Sequence, residues 1–329
     1  MMYTFPNKLR NLAIAFMVIG FLGLAYGFIN APKTIEEAKE MVASSHGEGH
    51  GESHDETTTT NHGEEDTHAV SESHETSVVD DHASSSHQET HDSSHDEHLF
   101  HQLSNKPWAA FYVAAFFFFM ISLGVLAFYA IQRAAQAGWS PVLYRVMEGI
   151  TAYLLPGGIV IIVILALSGM HLNHLFIWMD PEVVAHDELI AGKTGYLNVP
   201  FFLVRAVLFL LGWTTYRYFS RKFSLAQDQS DNISNHKKNF RISAAFLVFF
   251  IYSESVMSWD WIMSIDPHWF STLFGWYVFA SMIVSGVTTI ALITIYLKSK
   301  GYLEFVNDSH IHDLGKFMFG FSVFWRSEE

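Results

Sequence analysis

A chain of 329 residues with a net charge of −14, yet 50% hydrophobic and 16% aromatic, is neither an ordinary acidic soluble domain nor a basic nucleic-acid binder. The acidity is local: residues 36–98 hold 18 of the 33 acids against one lysine, Lys39, and everything else is slightly basic, 18 Lys+Arg against 15 Asp+Glu. Cysteine is absent, which excludes disulfides, thiolate-bound iron–sulfur clusters and a covalently attached c-type haem on this chain.

The first apolar stretch, residues 12–29, is longer than a signal-peptide core and has no small-x-small cleavage pattern ahead of Ala31-Pro32, so it reads as a retained membrane span. Residues 33–106 then form a low-complexity segment of Ser, Thr, Glu and Asp with 12 histidines between His46 and His101. It has too little apolar surface to offset its ordering entropy, which predicts disorder for much of its length. Its start, residues 34–43, keeps an Ile35, Ala38, Met41, Val42 pattern that predicts a short helix. Imidazoles and carboxylates of this kind suit capture of Zn²⁺, Cu²⁺ or Ni²⁺, but their irregular spacing lacks a fixed ligand set and favours a soluble spacer.

Five more stretches, residues 108–131, 153–178, 199–218, 242–263 and 273–297, are long enough for ~30 Å of hydrocarbon, which takes about 20 helical residues. A last apolar run, residues 317–325, is too short to span and reads as a stub. The predicted fold is an all-α integral membrane protein: a polytopic bundle of six complete transmembrane helices plus a C-terminal stub, with a disordered outer loop. Its parts are an N-terminal anchor (1–32), the acidic His-rich loop (33–106) and a helix bundle (107–329). Lys8, Arg10, Arg133, Arg145 and the cations of segments 217–241 and 298–316 put 13 positive residues on one side, against four on the other: Lys33, Lys39, Lys106 and Lys193. This asymmetry predicts a cytoplasmic N-terminus and an outer, periplasmic His-rich loop.

Few polar groups lie within the spans. His171 and His174, three apart near the outer end of the third span, would share a helix face, serving either a site or an interfacial cap. Arg205, about 9 Å into the fourth span at 1.5 Å per residue, either snorkels to the surface or neutralises Glu254. Asp260 stands in an aromatic belt between Trp259 and Trp261. Glu254, near the middle of its span, has no short path to water, and a carboxylate in hydrocarbon costs roughly 2.5–3.5 kcal/mol, so a helix that keeps one usually uses it. Histidines on only one span argue against a b-type haem, which needs axial ligands from facing helices.

The run Ser258 to Met282, SWDWIMSIDPHWFSTLFGWYVFASM, resembles the signature of the paired integral membrane subunits of bacterial alternative complex III, a quinol:cytochrome c (or oxidase-linked) oxidoreductase. Those subunits are similar to the polysulfide-reductase/nitrite-reductase class of quinone-interacting membrane proteins. The extra N-terminal span, the segment Ala31-Pro32-Lys33-Thr34-Ile35-Glu36 and the His-rich insert resemble the F subunit more than the C subunit. The resemblance implies a chain with no cofactor of its own, in the bacterial inner membrane among lipids. It would sit beside a homologous membrane subunit, a periplasmic iron–sulfur subunit, multihaem cytochrome c subunits and a terminal oxidase, with menaquinone/quinol, haem c and iron–sulfur clusters on those partners. It further implies a proton half-channel or quinone-facing surface, with His171, Arg205, Glu254 and Asp260 as members and Asp266 and His268 as its periplasmic exit. Members of this family continue through about four more spans, so the resemblance predicts a bundle that is incomplete here. The rival reading is an ion or divalent-metal transporter loaded by the His-rich loop, although no internal repeat is visible.

Overall fold

The computed structural model describes residues 6–47 and 86–327, and all the regular structure among them is helical. The helices are α1 (Asn7–Ile29), α2 (Ile35–Gly47), α3 (Ser86–Ala134), α4 (Tyr144–Ile150), α5 (Leu154–Gly169), α6 (Pro181–His186), α7 (Glu188–Lys193), α8 (Val199–Asp228), α9 (Ser234–Trp261), α10 (Phe274–Ser299) and α11 (Asp308–Ser327). Among the described residues, six helical segments are long and apolar enough to cross a membrane: Asn7–Ile29, Phe100–Ala134, Pro141–Gly169, Val199–Asp228, Ser234–Ile265 and Phe274–Ser299. The chain is an all-α, multi-pass membrane protein, as its hydropathy predicts.

By its internal contacts the chain divides into two units, Ala25–Lys106 and the remainder. In the smaller unit α2 starts where its cap predicts. The Thr34 hydroxyl accepts from the Glu37 amide (3.3 Å), and the Glu37 carboxylate accepts in return from the Lys33 amide (2.8 Å). Of the segment expected to be disordered, residues 48–85 lie outside the described residues. Residues 86–106, however, are helical and run directly into the span of α3. A helix extended backward from an existing apolar span skips the costly nucleation step and gains one hydrogen bond per residue, so it needs no core of its own.

In the larger unit α8 and α9 form an antiparallel hairpin, α10 and α11 a second one, and α5 lies along α8. Helix α3 crosses α10 almost backbone to backbone. A Cβ at Gly124 would overlap the Met282 carbonyl, and one at Gly286 would stand 3.0 Å from the Val125 nitrogen. Only glycine allows that approach. It leaves Phe119, Trp213 and Trp261 to close the centre, with ring centroids 5.9–6.1 Å apart.

The expected stub is longer than its apolar run. Helix α11 has 20 residues, about 30 Å at 1.5 Å per residue, and pairs with α10 from the Lys298–Asp308 ion pair (2.6 Å) to the Tyr277–Trp325 ring contact (5.8 Å). Asp308, His310, His312, Asp313 and Lys316 dilute its hydropathy, which is why only its second half stands out in the sequence.

Candidate functional site

The α8–α9 seam positions the main charged pair. On α9 the residues Ser243, Phe246, Phe250, Ser253, Met257 and Asp260 recur every three or four positions and all are buried. Three contacts fix this stripe against α8: Tyr216 Oη to Ser243 Oγ (2.7 Å), the Tyr216–Phe246 stack (3.9 Å between centroids), and Trp213 Nε1 donating to Ser253 Oγ (2.9 Å). Asp260, two turns beyond Ser253, falls on the same stripe and meets Arg205. Arg205 Nε donates to Oδ2 (2.6 Å) and Nη2 to Oδ1 (3.0 Å), the two-pronged geometry that a planar guanidinium favours. Its Nη1 donates to the Tyr196 carbonyl (3.3 Å), and the guanidinium lies 4.0 Å and 4.2 Å from the Tyr196 and Phe201 ring centroids. Arg205 is 8% exposed and Asp260 0%. Arg205 therefore neither snorkels nor neutralises Glu254, because Asp260 takes its donors.

Glu254 is next in sequence to Ser253 and so about 100° round the helix from it, at the edge of the stripe that Ser243 and Phe250 form. It is 3% exposed; its Oε2 has only the Ser255 hydroxyl at 3.5 Å, and Oε1 has no hydrogen-bond partner. Its surroundings are the α9–α10 seam. Ser255 backs onto Gly275, where a Cβ would stand 3.1 Å from Ser255 Oγ, and Phe250, one turn earlier, meets Phe279 at 6.4 Å. Asp260 lies six residues on, about 9 Å along the axis, at the opposite edge of the stripe.

Beyond Asp260 the chain opens into loops. Ser264 Oγ donates to the Asp260 carbonyl (2.5 Å) and accepts from Trp178 Nε1 (3.2 Å). His268 Nε2 meets Asp187 Oδ2 at 2.6 Å, Asp266 accepts from the His268 amide (3.1 Å), and Lys193 donates to the Pro267 carbonyl (2.5 Å). Asp187 also caps α7, and the Ile190 amide together with His268 holds its carboxyl below the usual range despite some desolvation. Between these loops is a cleft of about 640 Å³ whose lining includes Lys193, Tyr196, Trp259 and Phe270. Burial, and then the Asp260 carboxylate, push the Tyr196 phenol up.

His171 is not on a helix with His174. Helix α5 stops at Gly169 in a Schellman turn: the His171 amide donates to the Ser168 carbonyl and the Leu172 amide to the Leu167 carbonyl, both at 3.0 Å. His171 sits at its left-handed position, φ 59°, with its side chain exposed. It shares no hydrogen bond or ion pair with the other five candidates among the described residues.

A second polar cluster escaped the sequence reading. The third span begins at Pro141, so Glu148, counted as loop, is buried inside the bundle at 6% exposure. It accepts from Tyr129 Oη (3.1 Å) and Arg145 Nη1 (2.5 Å). Arg133 donates to Tyr129 Oη (3.1 Å) and Ser224 Oγ (3.0 Å), and Ser220 Oγ to Asn239 Oδ1 (2.6 Å). The apolar residues Leu143, Val146, Met147 and Ile150 around Glu148 were the signal that the span starts early.

Among the described residues no group of three or more His, Asp or Glu could hold a metal ion, so the transporter reading gains no site from them. No family model matches the sequence, and no curated protein matches it.

Proposed function

We propose that the chain is a membrane subunit of a respiratory quinol:cytochrome c, or oxidase-linked, oxidoreductase of the alternative complex III type, in the bacterial inner membrane with its N-terminus cytoplasmic and its His-rich loop periplasmic. Menaquinol oxidation, haem c and iron–sulfur clusters belong to its partners: the homologous membrane subunit, the periplasmic iron–sulfur subunit, the multihaem cytochromes and a terminal oxidase. This chain contributes a proton half-channel.

The observation that carries the reading is Glu254, a carboxyl buried in an apolar bundle with one long contact and no cation. Polar groups approach it from both ends. From one end rise Glu148, Tyr129, Ser220 and Asn239, then Ser243 with Tyr216, then Ser253 beside Glu254 itself. At the other end stand Asp260 with Arg205, then Tyr196 and the cleft bordered by the loops of Asp266 and His268. Within this path a relay carboxyl takes up and gives up a proton in place, while the Arg205–Asp260 pair fixes local charge.

The test uses the purified complex in liposomes. Glu254→Gln keeps shape and hydrogen bonding but removes titration; it should assemble, lower coupled proton release by about 10²-fold, and leave the quinol KM unchanged. Proton release and quinol oxidation at wild-type rates would reduce Glu254 to a structural residue. Purification of the chain without haem c or iron absorbance would overturn the respiratory assignment itself.

A further inference from the structure

The membrane-facing side of the α8–α9 hairpin has a feature that the proton path does not use. A groove of about 550 Å³ runs between the two helices, lined by Gly212, Phe219 and Phe223 on α8 and Ile242, Ala245 and Phe249 on α9. Gly212 lets the Phe249 ring, which forms one wall of the groove, pack directly against the backbone of α8, where a Cβ would overlap it. From residue 211 to 223 the groove extends about 18 Å at 1.5 Å per residue, close to the roughly 15 Å depth of one leaflet.

At one end the groove meets cations. Lys238 continues the α9 stripe of Ile242, Ala245 and Phe249 at helical spacing, and its Nζ lies 5.8 Å from the Phe223 ring centroid, which places the ammonium at the groove's end. Lys222 and Arg241, both exposed, flank it on the two helices. No Asp or Glu occurs in residues 211–227 or 233–253; of the two acids in the connecting turn, Asp228 is paired with Arg145 and Asp231 stands exposed beyond the groove's cationic end. The rest of the lining is apolar apart from Thr215 and the Tyr216 phenol, and that phenol is bonded to Ser243.

We infer that this groove is a binding site for one anionic phospholipid, an acyl chain lying along Gly212, Ala245 and Phe249 and the phosphate held by Lys222, Lys238 and Arg241. Charge at one end only, over an apolar slot one leaflet deep, matches a lipid. A helix from another protein would fill the slot without needing the cationic rim. The inference is independent of which complex the chain serves.

Native mass spectrometry of the detergent-solubilised full chain, with phosphatidylglycerol or phosphatidylcholine added, tests it. The wild type should retain phosphatidylglycerol preferentially. Each of Lys222→Gln, Lys238→Gln and Arg241→Gln should weaken that retention about fivefold, and the triple variant about a hundredfold. Ala245→Trp, which fills the slot, should remove adducts of both lipids. Equal retention of the two lipids, undiminished phosphatidylglycerol binding in the triple variant, or a second copy of the chain in place of lipid would overturn the site. Should the triple variant not fold, the wild type decides: phosphatidylglycerol adducts that do not fall with ionic strength are incompatible with a phosphate–cation contact.

Discussion

At the scale of single residues the structure separates groups that the sequence ranks together. Arg205 and Asp260 are a closed pair, and their energetics follow from what is left when one is removed. Arg205→Leu strands a fully buried carboxylate and should cost about 3–5 kcal/mol, whereas Arg205→Leu with Asp260→Leu should recover most of it. Unfolding of the single and double variants in detergent measures the difference; additive losses would mean the pair is not coupled. Glu254→Leu, with no cation to strand, should be milder than Arg205→Leu. His171 gives the opposite kind of prediction. As the left-handed residue of a Schellman turn it holds a conformation that glycine adopts more easily, so His171→Gly should raise stability by about 0.5–1 kcal/mol. The same variant should leave proton release unchanged; a loss would restore His171 to the path.

At the scale of elements, the types of helix were legible and their ends were not. Counting outward from the turn at Asp231 sets Arg205 opposite residue 257, midway between Glu254 and Asp260, so distance along the chain could not choose its partner. Nor could the helix face: at about 100° per residue Glu254 falls beside Ser243 and Phe250 and Asp260 beside Ser253 and Phe246, one at each edge of the same buried stripe, and the choice is made only by the two Arg205–Asp260 hydrogen bonds. The end of α5 was unreadable because Leu172, Leu175 and Phe176 keep the sequence apolar past a turn whose left-handed position is held by His171 in place of the usual glycine. The start of α11 was hidden by its acids, and one of these makes a prediction. Lys298 holds the Asp308 carboxyl below its usual 3.8, first through their hydrogen bond and then through charge. A depressed folded value means the ion pair contributes above the unfolded pKa and is lost as pH falls through the folded one. Hydrogen exchange in the first turn of α11, corrected for intrinsic rates, should stay constant from pH 7 to about 5 and rise below about 3.8. In Asp308→Asn that acid transition should be absent.

At the scale of the whole molecule the question is which face of the membrane each end of the bundle meets. The two ends differ chemically. One carries the Arg133–Glu148 cluster, the cations of residues 217–241 and the Lys298–Asp308 pair; the other carries the loops of Asp187 and His268 with Lys193. The distribution of 13 cations against four assigns the first end to the cytoplasm. That assignment decides whether the Asp266–His268 loop can be an exit for protons at all. The native chain has no cysteine, so single cysteines report position without background. Thr272→Cys, exposed in the loop before α10, should react with a membrane-impermeant maleimide in intact cells, and Ser234→Cys, exposed at the start of α9, only after the membrane is opened. Because the two positions bracket α9, a single reversal would be geometrically inconsistent, and a double reversal would invert the bundle. Labelling of Ser234→Cys in intact cells together with silence at Thr272→Cys would then place the Glu148 cluster outside, and the direction of proton flow through Glu254 would have to be reversed.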